Sequence, residues 1–111
     1  MKLQFFDPGS LRTQLSLQDP TETPDGSGGF ATTWVERATV WAALEPASQR
    51  LEAWGQRQVS EAGTRITIRF RSDVRVGQRL VSASKTYRIE LVSDLDGTGR
   101  YLSLLAREEV Q

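Results

Sequence analysis

The chain has 111 residues, a length that fits one domain (1–111) with a single modest core. Its 14 basic and 14 acidic residues cancel, so no global field draws it to nucleic acid or to an anionic membrane. It has no Cys and no His, which excludes disulfide scaffolds, thiolate and imidazole metal sites, Cys nucleophiles and any Ser-His triad.

The lead-in Met1–Gly9 carries no apolar run of signal-peptide length, and no window is long enough to span a bilayer. A soluble, intracellular chain without membrane contact is expected. Asp7-Pro-Gly reads as a turn. Phe5 and Phe6 are too apolar to stay in water, and are expected to cover a barrel end or a neighbouring subunit. A first strand is expected near 11–18, where Leu15 and Leu17 follow period two. Residues 19–29 hold two Pro and three Gly and read as a flexible loop with nothing to bury.

Phe30 to Leu44 is rich in strand formers, among them Thr32, Thr33, Trp34, Val35, Val40 and Trp41. The two Trp have opposite parity, so they face opposite sides unless a bulge falls near Glu36-Arg37-Ala38. Both are expected in core or interface packing. Pro46 ends the element. Residues 46–64 then suit neither a strand nor a buried helix, and are read as a long excursion, either a loop or a short helix opened by Ser48. Trp54, in this most polar segment, is either a cap on the barrel or, as the cost of an exposed Trp favours, an anchor in a partner pocket.

Arg65-Ile-Thr-Ile-Arg-Phe-Arg71 is the cleanest strand, with Ile66, Ile68 and Phe70 on one face and Arg65, Arg69 and Arg71 on the other. A short strand near 79–83 follows. Next comes Thr86–Ser93 with Tyr87, Ile89 and Leu91 inward, then a last strand from Arg100 with Leu102, Leu104 and Ala106 inward. Asp94-Leu-Asp-Gly-Thr-Gly99 between them is a hairpin loop whose carboxylates suit turn hydrogen bonds better than a metal. The fold class is therefore all-β: a small antiparallel barrel or sandwich of five to six strands, with the excursion between the second and third.

Charge is unevenly placed. Residues 65–90 carry seven basic groups against two acidic, and residues 1–64 five against eight. The arginine row reads either as a solvated strand face or as a basic surface toward DNA or an acidic partner. No aromatic residue shares that face, so stacking on single strands is not supported. The residues expected at an interface or channel are Arg50, Glu52, Trp54, Arg57, Glu61, Arg65, Arg69 and Arg71. No catalytic residue, cofactor or metal is expected.

Three segments, in order, carry a family resemblance: Val40-Trp-Ala-Ala-Leu-Glu-Pro46, Ile66-Thr-Ile-Arg-Phe-Arg71, and Tyr87-Arg-Ile followed by Asp94. Over about residues 10–108 the chain resembles the head–tail joining proteins (head-closure, or stopper) of long-tailed bacteriophages and prophage-derived particles such as gene transfer agents. The resemblance implies a small β-barrel assembled in the host cytoplasm as a homo-oligomeric ring in the virion neck. It implies a portal or adaptor protein on one side and a tail terminator or tail tube protein on the other. It also implies that the excursion lines or plugs the DNA channel. Here Arg50 and Arg57 offset Glu52 and Glu61, so any contact with packaged DNA is expected to be steric. The alternatives are a tail-terminator or adaptor protein of the same particle, or a small nucleic-acid-binding barrel.

Overall fold

The computed structural model describes residues 6–52 and 58–109, with side chains described up to residue 47 and again from residue 63. A 3-10 turn over Pro8–Ser10 precedes six strands: β1 (Thr13–Pro24), β2 (Phe30–Glu52), β3 (Gln58–Arg69), β4 (Arg79–Val81), β5 (Thr86–Asp94) and β6 (Tyr101–Glu109). All pairings are antiparallel, and the strands close into a barrel in the order β1-β2-β3-β6-β5-β4. Closure removes the free sheet edges that an open meander would expose.

The alternation in the sequence explains the interior. Leu15 and Leu17 of β1, Val40 and Ala42 of β2, Ile66 and Ile68 of β3, and Leu80 of β4 point inward. Tyr87 and Ile89 of β5 join them, with Leu102, Leu104 and Ala106 of β6. Side chains from every strand fill the lumen, as a barrel this narrow requires. The seam that closes it is short: β1 meets β4 only at Ser16↔Val81, Leu17↔Leu80 and Gln18↔Arg79.

Two bulges correct the expected inward faces. On β2, Leu17 pairs with Ala38 and Gln18 with Glu36, so Arg37 is the extra residue. This bulge reverses the parity upstream of it and brings Trp34 and Trp41 to the same outer face; neither lies in the core. On β5, Ile89 pairs with Ala106 and Leu91 with Leu105, leaving Glu90 over. Leu91 is therefore turned outward and is 56% exposed. Phe70 also leaves the inner face, because β3 ends at Arg69.

The two segments expected to be loops are mostly strand. Residues 19–24 extend β1 and pair with Val35 back to Phe30, so only Asp25–Gly29 turns. That turn is held: the Asp25 carboxylate accepts from the Ser27 and Gly29 backbone N–H at 2.8 and 3.1 Å. The excursion 46–64 is neither loop nor helix over its described residues. It is a ribbon paired from Pro46↔Thr64 to Glu52↔Gln58. Past Thr64↔Ala106 the ribbon is paired only with itself and lines no lumen, so no apolar alternation is required of its sequence. Pro20 and Pro24 fit because β4 leaves β1 after Gln18, which makes the rest of β1 an edge.

β2 runs through both ribbons, so they leave the barrel at opposite ends. Its 23 residues would span roughly 75 Å if straight, at about 3.3 Å per residue. The longest dimension of the molecule is 52 Å, so β2 coils around the barrel.

Leu17→Ala empties a fully buried position beside the short seam, and is expected to lower stability by about 2–5 kcal/mol in urea unfolding. Leu91→Ala is expected to stay within about 0.5 kcal/mol, since the bulge has taken that residue out of the core. A large loss at Leu91 would contradict the register.

Candidate functional site

Three surfaces stand out. The first is an ionic lid over the barrel end from which the β1–β2 ribbon leaves. Gln78 lies at its centre and is 1% exposed. Its Nε2 donates to Asp19 Oδ1 at 2.7 Å and to the Asp73 carbonyl at 2.9 Å, and its Oε1 accepts from the Arg75 N–H at 2.8 Å. Asp19 is also bonded by Arg37, the bulged residue, and Arg71 forms a two-pronged bond to Asp73 at 2.9 and 3.0 Å. The Gln78 amide, with the Arg37 guanidinium behind it, holds the Asp19 carboxyl below the usual carboxylate range against the opposing effect of burial. Arg71 does the same for Asp73, and is itself raised by that partner.

The second surface is on the outer wall. The Arg79 guanidinium stacks over the Trp34 ring at 4.3 Å, with that of Arg88 at 5.5 Å. Arg79 Nε also donates to Gln18 Oε1 at 2.7 Å, which ties this platform to the closing seam.

The third is a groove of about 620 Å³ across the outer face of β2, β3, β6 and β5. One register row makes its floor: Ala43 beside Thr67, Thr67 beside Ser103, Ser103 beside Ser93. All four are small, and three carry hydroxyls. Phe6 of the lead-in, Ser10 of the 3-10 turn and Thr13 of β1 also line it, as do Glu45 and Arg65. Phe6 is anchored on Tyr101 at 4.9 Å between ring centroids, so the lead-in covers part of the barrel's own outer face.

The residues expected from sequence separate. Arg50, Glu52 and Glu61 lie on the β2–β3 ribbon, at the rungs Arg50↔Ser60, Glu52↔Gln58 and Gln49↔Glu61. Trp54 and Arg57 lie outside the described residues, as does Phe5. Arg65 is 3.9 Å from Glu45 beside the groove, and Arg69 lies 6.0 Å from the Tyr101 ring. Arg71, past the end of β3, is committed to Asp73 in the lid. The row thus divides between groove and lid.

Asp94 and Asp96 do serve a turn. Asp94 accepts from the Gly97 and Gly99 N–H, both at 2.9 Å. Asp96, its side chain 1% exposed, is bonded by Thr98 and Arg100, and the Thr98 bonds hold its carboxyl below the usual range. Among the described residues, no three His, Cys, Asp or Glu stand where they could hold a metal ion, and no helix is long and apolar enough to cross a membrane.

Sequence reading missed Gln78, Arg37 and the hydroxyl floor. The one available signal was Gly77, whose φ of 98° marks a turn that aims the next residue inward.

The model of the family described as phage head completion protein matches residues 6–109. A chain in a solved structure of the virion of a native gene transfer agent particle is 28% identical, with a TM-score of 0.67 over 89% of this chain and 94% of that one. Protein SF1141 from Shigella flexneri 2a, solved in solution, shares the fold at 22% identity and a TM-score of 0.65, over 96% of this chain and 99% of that one. Comparison with curated proteins gives no match.

Gln78→Ala strips partners from Asp19, the Asp73 carbonyl and the Arg75 N–H, and is expected to lower stability by about 1–3 kcal/mol. The lowered carboxyls of Asp19, Asp73 and Asp96 set a pH dependence of fixed sign. Their stabilisation is fully present above the unfolded carboxylate value of about 3.9, and is lost as pH falls through the lower folded values. Urea unfolding from pH 7 to pH 3 is expected to show a decline beginning near pH 4, and Asp19→Asn is expected to shallow it. An unchanged slope in that variant would remove Asp19 from the lid.

Proposed function

Because the chain belongs to the phage head completion protein family, we propose that it is a structural component of the neck of a phage or prophage-derived virion. In this reading copies form a ring between the portal or its adaptor and the tail terminator or tail tube protein. The ring closes the DNA channel after packaging and presents the docking surface for the tail. The 28% likeness to a chain of a gene transfer agent virion supports a place in such a particle.

One structural observation carries the mechanism: two ribbons leave opposite ends of one barrel. A protein placed between two different neighbours needs a contact element toward each. The β2–β3 ribbon extends about 20 Å past the last β3–β6 rung, Thr64↔Ala106, at about 3.3 Å per residue. Repeated around a ring, ribbons of that length can narrow an axial channel by bulk alone. The charges on this ribbon balance in sequence, and Arg65 and Arg71 already face carboxylates, so closure is by exclusion and not by gripping phosphate. Many copies multiply modest polar contacts into a stable joint.

Replacing residues 48–62 with Asn-Gly leaves a tight hairpin on an intact barrel. Particles carrying that variant are expected to fill and then lose most of their DNA, measured as the ratio of filled to empty heads. Electron microscopy of the neck is expected to place the chain between portal assembly and tail. Retained DNA in the shortened variant would remove the ribbon as the gate, and density elsewhere would defeat the neck assignment.

A further inference from the structure

The β1–β2 ribbon and the hydroxyl-floored groove are complementary, and we infer that the ribbon tip of one copy docks in the groove of the next. This rests on the ring reading above and names the contact that builds the ring.

The complementarity is first one of charge. From Thr13 to Glu36 the chain has no Lys or Arg, and the outer part of the ribbon carries Glu22 and Asp25. Beside the groove stands Arg65, 3.9 Å from Glu45, and four residues along, on the same face of β3, comes Arg69. An acidic tip meets a border on which two arginines, Arg65 in the lining and Arg69 beyond it, outnumber the one carboxylate, Glu45. The second match is one of shape. The tip, Asp25-Gly-Ser-Gly-Gly29, is almost without side chains, and the floor of Ala43, Thr67, Ser93 and Ser103 is equally low. Those hydroxyls can serve the exposed backbone groups of a turn as both donors and acceptors. The tip is also preorganised by the Asp25 bonds and by an Asp25 N–H to Gly29 carbonyl bond of 3.1 Å, so docking loses little entropy.

The ribbon cannot fill its own groove. It continues the β1–β2 ladder away from the barrel at the start of β2, whereas the groove begins downstream at Ala43. Folding back would break the rungs from Gln18↔Glu36 outward. The occupant must be a second copy, and because tip and groove are different surfaces the contact is head-to-tail. Such a contact propagates until a ring closes.

The chain has no Cys, so two introduced thiols report on the contact cleanly. Ser27→Cys at the tip and Ser103→Cys on the floor, placed together in the full chain and oxidised at high concentration, are expected to give a ladder of trimers and larger species on non-reducing gels. Ser103→Cys alone is expected to give none. In sedimentation at low salt, Glu22→Lys and Arg69→Glu are each expected to weaken self-association about tenfold. Combining them is expected to restore it. Absence of species beyond the dimer in the double-thiol variant, or a combined charge variant no better than either alone, would overturn the docking. Neck density for the chain without thiol bridging would sink this contact and leave the ring reading standing. Absence from the neck would sink that reading, while the bridging result still decides the contact.

Discussion

Three rungs between β1 and β4 hold the barrel shut, and everything distinctive about the molecule follows from how short that seam is. A strand of three residues on β4 ends the pairing of β1 at Gln18, which frees the rest of β1 to run on with β2 alone. With so few backbone bonds, closure relies on its side chains. Leu17 and Leu80 meet inside, Gln18 and Arg79 meet outside, and the Trp34 ring lies against Arg79. The lid over Gln78 sits at the adjoining end, where the seam would otherwise open to water. Its polar groups are buried with partners, as a low-dielectric position demands.

The two bulges do related work. Each inserts one residue, reverses parity and turns a large apolar side chain outward. The bulge at Arg37 also supplies the guanidinium that bonds Asp19, so the bend in β2 and the lid are one feature. The outward Trp41 and Leu91 sit on strands opposite each other in the barrel order, each more than half exposed.

Much of this was legible in the sequence. Ile66 and Ile68, Tyr87 and Ile89, and Leu102, Leu104 and Ala106 each show period two, and each set lies inside. The all-β class, the chain order of the strands and the turn at Asp94–Gly99 follow from the same local rules. The ribbons were not legible, because a strand that runs beyond the barrel lines no lumen, needs no hydrophobic period and reads as a loop. Pro and Gly in residues 19–29 reinforced that reading, although two Pro on an edge strand are permitted. The bulge at Arg37 was visible only as a condition on the parity of Trp34 and Trp41. Gln78 was beyond reach, since its role depends on Asp19, which lies 59 residues away. The groove floor was hidden for a similar reason: Ala43, Thr67, Ser93 and Ser103 are ordinary residues until register sets them in a row.

Since one strand, β2, serves both ribbons and the barrel wall between them, the wall past the Arg37 bulge and the β2–β3 ribbon beyond it share one phase. Adding or deleting a residue in the wall would flip every downstream side chain to the other surface and present the far ribbon with its faces exchanged. Length variation among relatives should accordingly collect at turns, such as 25–29 at the tip of the first ribbon and 82–85 between β4 and β5, and spare the stretch from Ala38 to Leu44.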